Sequence, residues 1–393
     1  MTNVKRTKPQ KHICILASVP VTIWSFYRQL VADMVSDGTK VTVIASEGEE
    51  LGWLSNECGC STKAVEIKRR IDVLGDLKSF LKLSKFLFLE KPDMMHAHTP
   101  KGGLLGMLSA FFAGCKKRIY TVHGLPMDTA TGLKRKLLWA VEWLSCKLAT
   151  KVLAVSPSLK KRMIEEKLCN KDKITVLNHG SACGIDLSRF KPDSARGPEV
   201  RKKLGIPTSA FVIGFVGRIV NDKGVSHLVR AFEVLQKDFD DIWLMLVGDF
   251  ETVRDSLDPR TAKKIDDNGN ITCSNGFIKD IVPYYAAMDM LALPTKREGF
   301  GLVLIEAAAM KLPVVATRVT GCVDAVDEDV TGRLVEPESL TELTEALRDL
   351  LENSDERNRL GQNGFRRTHE KFDSIQLVKV HLKFYDHLLN EMR

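Results

Sequence analysis

Glu298 and Glu306 bracket the start of a glycine-punctuated stretch, Glu298-Gly-Phe-Gly-Leu302, that runs into an apolar, alanine-rich segment. A carboxylate accepts two hydrogen bonds at once, so one such group can hold a vicinal diol and another can orient a sugar hydroxyl. Arg218 and Lys223 stand upstream in Gly-Phe-Val-Gly-Arg-Ile-Val-Asn-Asp-Lys-Gly, Gly214 to Gly224. Two cations beside a helix N-terminus, where backbone N–H groups and the helix dipole favour negative charge, can neutralise a diphosphate. Taken singly, each feature has a plainer explanation. Acidic residues favour first helical turns, leaving Glu298 a cap and Glu306 solvated, and a Gly-Arg or Lys-Gly pair is ordinary turn chemistry.

The elements that must position these residues can be read from hydrophobic periodicity. Met290 to Leu293 is an apolar strand, a helix starts near Leu302, Pro313 ends it, and Val314 to Ala316 reads as the next buried strand. Such a parallel crossover presents a helix N-terminus at the carboxyl edge of a sheet. Gly299 and Gly301 allow the main chain close to a ligand.

The same alternation recurs along the chain. Strands are expected at His12–Leu16, Val41–Ala45, Met94–His98, Arg118–Val122, Val152–Val155 and Ile174–Asn178, with helices over Trp24–Val35, Leu104–Phe112 and Leu133–Ala149. Arg189 to Pro207 is charged and contains Pro and Gly, which suits a linker. Strands follow at Phe211–Val216, Ile242–Val247 and Ile271–Cys273, with helices over Val225–Gln236, Pro259–Asp267 and Ile281–Met288. Leu340–Leu351, Asp355–Phe372 and Ser374–Met392 read as helices. Strands alternating with helices predict doubly wound parallel sheets, here two tandem α/β domains facing a cleft.

Length and composition agree with that reading. The 393 residues are ordinary for a soluble globular protein of two or three domains. No apolar run reaches the ~20 residues needed to span a bilayer, and the polar start, with Pro20 breaking the next apolar stretch, carries no secretory signal. Nine scattered cysteines without a CxxC pair fit reduced thiols in a cytoplasmic protein. A formal charge of +8 fits an anionic partner. No helix-turn-helix, zinc finger or aromatic-rich RNA-binding signature is present, so nucleic acid is not the expected one.

Gly217-Arg218…Lys223-Gly224, Glu298-Gly-Phe-Gly-Leu302…Glu306-Ala307 and Pro313-Val-Val-Ala316 together resemble the retaining GT-B glycosyltransferases of family 4. Val155-Ser156 and Gly184-Ile-Asp186…Arg189-Phe190 match the family's usual close of the first domain, so the likeness spans nearly the whole chain. His96-Ala-His98-Thr-Pro-Lys-Gly-Gly and Thr121-Val-His123-Gly are similar to members that extend polyprenyl-diphosphate-linked glycans of bacterial surface polysaccharides. The resemblance implies two Rossmann-like domains, residues 1–190 for the acceptor and 191–372 for the nucleotide sugar, with a helix at 373–393 returning to the first. It implies that Arg218 and Lys223 hold a donor diphosphate, Glu306 the ribose and Glu298 the donor sugar. Gly299, Phe300, Gly301 and Leu302 would meet phosphate or sugar, Phe277 and Ile278 would flank the base, and His123 would sit near the reacting carbon. The implied donor is a UDP-sugar carrying GlcNAc, GalNAc, Glc or Gal, with no metal and no cofactor. A soluble acceptor, or a UDP-sugar 2-epimerase on the same architecture, is the alternative.

Two positions depart from the family pattern. The first loop, Ala17-Ser-Val-Pro-Val-Thr22, lacks the glycine pair of many members, leaving Ser18 and Thr22 as hydrogen-bond candidates near the acceptor. Cys183 replaces a common Asn and is read as structural variation. His96 and His98 share one face of a strand and could be half of a metal site. Without a third ligand, the preferred reading is a packed His96 and a cleft-facing His98, with Lys101 as a further cleft candidate and His179 as a weaker one. Finally, Lys68, Arg69, Arg70, Lys78, Lys82 and Lys85 lie among Leu and Phe, and Lys134-Arg-Lys136 precedes Leu137, Leu138, Trp139 and Trp143. This pattern suits either a solvated face over a core or a surface resting on anionic lipid, and the family context favours peripheral binding at the inner face of the cytoplasmic membrane.

Overall fold

Short runs of β-branched and aliphatic residues, buried on both faces, become parallel strands, and the amphipathic stretches between them become the covering helices. The computed structural model describes residues 10–68, 70, 72–192, 196–251, 255–274, 276 and 278–390. The chain begins β1 (His12–Leu16), α1 (Pro20–Ser36), β2 (Lys40–Ala45), α2 (Glu49–Cys58), β3 (Ser61–Ala64), α3 (Val73–Glu90) and β4 (Met94–His98). It continues with α4 (Pro100–Phe112), β5 (Lys117–Val122), α5 (Gly132–Leu148), β6 (Lys151–Ala154), α6 (Pro157–Glu165) and β7 (Ile174–Thr175). Then follow α7 (Gly197–Lys203), β8 (Phe211–Val216), α8 (Val225–Leu235), β9 (Ile242–Val247), α9 (Pro259–Asp267), β10 (Ile271–Ser274), α10 (Val282–Tyr285) and β11 (Met290–Leu293). The last elements are α11 (Leu302–Ala309), β12 (Val314–Thr317), α12 (Cys322–Ala325), β13 (Gly332–Val335), α13 (Leu340–Glu352), α14 (Ser354–Lys371) and α15 (Ser374–Asn390).

These form two parallel sheets, ordered β3-β2-β1-β4-β5-β6-β7 and β10-β9-β8-β11-β12-β13. The fold is thus two doubly wound α/β units. One takes the chain up to Val155, Lys160–Asn178 and the chain from Leu377 on; the other takes Ser156–Leu159 and His179–Gln376. The compact division therefore falls at Asn178 instead of residue 190. In the first unit α15 returns to the sheet, and its Val378, Tyr385 and Leu388 are buried in one cluster with Ile13, Ile23, Tyr27 and Leu30.

Most expected strands occur where periodicity placed them; β13, α2, α3, α6 and α12 were not among the expected elements, and three further differences have a visible cause. β3 escaped notice because Ser-Thr-Lys-Ala is short, polar and at the sheet edge, where two of its four residues are exposed. The strand expected over Ile174–Asn178 stops at Thr175, and Asn178 takes a left-handed φ of 51° that no strand accommodates. The helix expected over Ile281–Met288 is a four-residue turn, α10, wedged by Pro283 and fully buried.

In both sheets the strand order reverses once, between β1 and β4 and between β8 and β11. A crevice opens at the carboxyl ends of strands at such a point. Burial is also where this sequence spends its polar groups unusually. Glu142 of α5 is buried and accepts the Tyr120 hydroxyl at 2.7 Å, and desolvation pushes its carboxyl up to about 7.

Candidate active site

The second unit's reversal point gathers the predicted charged residues. Arg218 follows the end of β8, and the chain then turns through Asn221–Lys223 into α8. That turn ends on Gly224, whose φ is +72°; a Cβ there would lie 1.8 Å from the Pro294 carbonyl oxygen, so only glycine lets the Lys223 turn meet the loop after β11. Lys223 ion-pairs with Glu298, both side chains largely shielded at 18% and 16% exposure. Arg218 pairs with Glu251 at 2.5 Å. Behind this pair, Asp222 takes Arg297 at 2.7 Å, and its carbonyl accepts the Thr295 hydroxyl at 3.1 Å and the Lys296 N–H at 2.8 Å. The two loops are therefore one hydrogen-bonded unit.

Gly301, with φ +78°, is the residue from which α11 starts, and no side chain caps the helix. Its first N–H groups and dipole thus present positive charge beside Lys223 and Glu298. Phe300 turns inward and packs edge-on against Phe372 at 5.3 Å, which pins the loop and leaves only its backbone for a ligand. Leu302 is half-buried at the helix start, and Gly299 precedes Phe300 in the same bend.

Glu306, one turn further, accepts the Tyr285 hydroxyl at 2.6 Å. Desolvation pushes its carboxyl up, opposed by that hydrogen bond and by the Arg189 guanidinium. The bond fixes one carboxylate oxygen and leaves the other with acceptor capacity. Tyr285 was not legible as a site residue, because an apolar Tyr-Tyr pair in a buried turn carries no motif. Glu251, a half-buried residue in the loop after β9, likewise carries no motif. Ile278 is half-buried near the end of β10, and Phe277 lies outside the described residues.

In the first unit, Ser18 at the end of β1 exchanges a 2.9 Å hydroxyl bond with Thr99 at the end of β4, directly at the reversal point. Thr22 is half-buried in the first turn of α1, its N–H bonded to the Val19 carbonyl at 3.2 Å. Lys101 is committed elsewhere: its ammonium donates to Asp76 at 2.7 Å and to the Arg70 carbonyl. His179 is exposed.

His98 does not face a cleft. It is 0% exposed, with its Nδ1 3.2 Å from Nε2 of His123. His96 is equally buried and has both ring nitrogens engaged, Nδ1 by the Tyr385 hydroxyl and Nε2 by Thr121 at 2.6 Å, so it has no lone pair left for a metal. The strand rule placed the two rings on one face correctly, but β4 is a central strand under α1 and α15, and that face is core. Among the described residues, no group of three or more His, Cys, Asp or Glu side chains is arranged to hold a metal ion. His123, half-buried at the end of β5, stacks on Phe26 at 5.7 Å. Burial pushes its imidazole down to about 4, so it is neutral at neutral pH.

Two doubly wound units define a fold class, and the comparisons with known proteins specify the family. The family described as Glycosyltransferase Family 4 matches residues 23–189, and Glycosyl transferases group 1 matches residues 197–367. The chain is 36% identical to the capsular polysaccharide biosynthesis glycosyltransferase CapM of Staphylococcus aureus over 351 residues, 89% of this chain and 90% of that protein. It is 28% identical over 287 residues to the UDP-Gal:alpha-D-GlcNAc-diphosphoundecaprenol alpha-1,3-galactosyltransferase of Escherichia coli, 71% of each. HepE of Anabaena, solved in complex with UDP and glucose, superposes with a TM-score of 0.81 at 20% identity, covering 96% of this chain and all of that one. The chain belongs to the group 1/family 4 glycosyltransferases, and its fold is GT-B.

The Tyr285–Glu306 pair gives a stability test. Tyr285→Phe leaves a half-buried carboxylate without its donor and should lower unfolding free energy by about 1–3 kcal/mol in denaturant titrations. Glu306→Gln keeps an acceptor and removes the partly desolvated charge, so it should unfold no earlier than the native sequence. Equal losses in both variants would contradict the assignment.

Proposed function

We propose that this glycosyltransferase moves a sugar from a UDP-sugar to a polyprenyl-diphosphate-linked glycan in surface polysaccharide biosynthesis, with retention and without a metal. The observation that carries the reading is the joining of Arg218, Lys223, Glu298 and the uncapped start of α11 at the carboxyl ends of β8 and β11. A UDP diphosphate would draw Lys223 from Glu298 and Arg218 from Glu251, freeing Glu298 to accept from sugar hydroxyls. Glu306, held by Tyr285, would take the ribose diol. Gly299, Phe300, Gly301 and Leu302 would offer backbone N–H groups to phosphate or sugar, and Ile278 and Phe277 would flank the uracil. The relatives support substrate class: the E. coli protein's name specifies a UDP-galactose donor and a diphosphoundecaprenol-linked acceptor, and CapM's names capsular polysaccharide.

In this reading the bond between the sugar's anomeric carbon and the diphosphate oxygen breaks while a bond to the acceptor hydroxyl forms on the same face. The acceptor proton passes to the departing phosphate oxygen, and UDP leaves. The protein's share is electrostatic, namely the two cations and the helix N-terminus that stabilise developing diphosphate charge. His123 would hydrogen-bond the transferring sugar, and Ser18 and Thr22 would serve the acceptor. Lys101 and His98 leave the set of direct contacts, since both are committed within the first unit.

We also read the first unit as resting on anionic lipid at the cytoplasmic face of the membrane. α3 carries Leu74, Leu77, Leu81 and Phe88 at 82%, 54%, 59% and 63% exposure, spaced at helical intervals. Lys78, Lys82 and Lys85 are exposed on the same helix. α5, which packs beside α4 as α3 does, adds exposed Leu133, Leu137 and Trp143, with Lys147 over the Trp143 ring at 5.3 Å. Half-buried Trp139 stacks on Trp143 at 6.1 Å, and its indole N–H donates to the Glu166 carbonyl at 2.9 Å. Among the described residues no helix is long and apolar enough to cross a membrane.

Purified protein given a panel of UDP- and GDP-sugars with polyprenyl-diphosphate sugars should release UDP only with a lipid acceptor, in buffer containing a chelator. Glu298→Ala should lose at least about a hundredfold in turnover. Acceptor-independent sugar epimerisation would instead identify an isomerase. For the membrane reading, co-sedimentation with phosphatidylglycerol vesicles should weaken by at least about tenfold in Leu77→Ser/Leu81→Ser. Unchanged sedimentation, or equal binding to neutral vesicles, would remove it.

A further inference from the structure

The first unit gathers four histidines, His96, His98 and His381 buried and His123 half-buried, against Tyr27 and Tyr385 beneath the carboxyl ends of β4 and β5. Desolvation pushes all four imidazoles down, which makes each neutral at neutral pH, with one proton shared between two ring nitrogens. Where that proton sits is then set by hydrogen-bond partners. His381 donates Nδ1–H to the Leu377 carbonyl at 3.2 Å, and His96 is held at both nitrogens, so neither can exchange roles with the other pair.

The His98–His123 contact admits two arrangements. If His123 donates from Nε2, then His98 accepts at Nδ1 and its own proton lies on Nε2. That atom is fully buried with no hydrogen-bond partner among the described residues. A buried N–H without an acceptor is among the rarest arrangements in folded proteins. If His98 donates from Nδ1, only a bare lone pair is left at its Nε2. His123 then accepts at Nε2 and carries its proton on Nδ1. Among the described residues no hydrogen bond occupies Nδ1 of His123. The ring planes are fixed independently: Tyr27 lies 4.3 Å from the His98 ring, and Phe26 is stacked on His123.

We propose that His98 is a positioning residue that holds His123 in the Nδ1–H tautomer, so that His123 presents a hydrogen-bond donor and not a base. A sugar hydroxyl or a carbohydrate ring oxygen is the chemistry such a donor would meet, and this last step rests on the function proposed above. A free neutral imidazole prefers the opposite tautomer, Nε2–H, so the bond to His98 has a measurable consequence.

The test is ¹⁵N–¹H correlation of ring nitrogens in the full-length, ¹⁵N-histidine-labelled protein at neutral pH, with His123 signals identified by their loss in His123→Asn. The expected spectrum has His123 protonated at Nδ1. His98→Leu should move it toward Nε2–H, and His98→Asn, whose amide can donate from near the Nδ1 position, should restore Nδ1–H. A native His123 protonated at Nε2, or one unmoved in His98→Leu, would overturn the proposal. None of these readouts needs a substrate, so they stand even where no donor and acceptor pair gives turnover. Where turnover is measured, His98→Leu should lower kcat by about tenfold or more with donor KM unchanged, and His98→Asn should recover most of it. Equal loss in both variants would mark His98 as packing alone.

Discussion

Opposite charges brought to the ends of β8 and β11 must be balanced, and the means of balancing them shapes the second unit. Lys223 and Glu298 come from turns seventy-five residues apart, and their pairing requires Gly224 to pass against the Pro294 carbonyl and Asp222 to lock Thr295, Lys296 and Arg297. A partly shielded ion pair contributes little net stability, because lost hydration offsets attraction. Its more useful property is that either partner can be drawn away by a ligand of matching charge. The same logic holds for Arg218 and Glu251, at the same sheet edge. Ligand recognition of this kind exchanges ion pairs within the protein for ion pairs with the ligand.

The first unit solves a different problem. Its polar groups near the reversal point are neutral and mostly buried, and they satisfy one another: Ser18 with Thr99, His96 with Tyr385 and Thr121, His98 with His123. The helix that supplies Tyr385 is the last of the described helices, so the order of this histidine cluster depends on α15 returning to the first sheet. Replacing solvent by aromatic rings and fixed hydroxyls leaves imidazoles whose tautomers are chosen by geometry.

Much of this was legible in the sequence. The strand-loop-helix-strand unit around Glu298 emerged from a continuous apolar run, two glycines, an alanine-rich helix and Pro313, each a local signal. Arg218, Lys223 and Glu306 were found because their spacing repeats a family pattern. What escaped depended on long-range packing. Nothing near Tyr285 announces that its hydroxyl meets Glu306, twenty-one residues on. Nothing in His96-Ala-His98 distinguishes a buried face from an open one until α1 and α15 are laid over β4. Lys101 looked available because its partner Asp76 sits on a helix whose register against α4 only the fold reveals. Edge strand β3 lacked hydrophobic periodicity altogether.

The central claim is that the charged loops of the second unit form a nucleoside-diphosphate site. Calorimetric titration of UDP, and of UMP for comparison, into the native protein in chelator-containing buffer tests it most directly. The account predicts one site per chain, UDP bound well above UMP, and a difference between the two that shrinks in Lys223→Ala. Equal affinities for UDP and UMP, or UDP binding indifferent to Lys223, would contradict it.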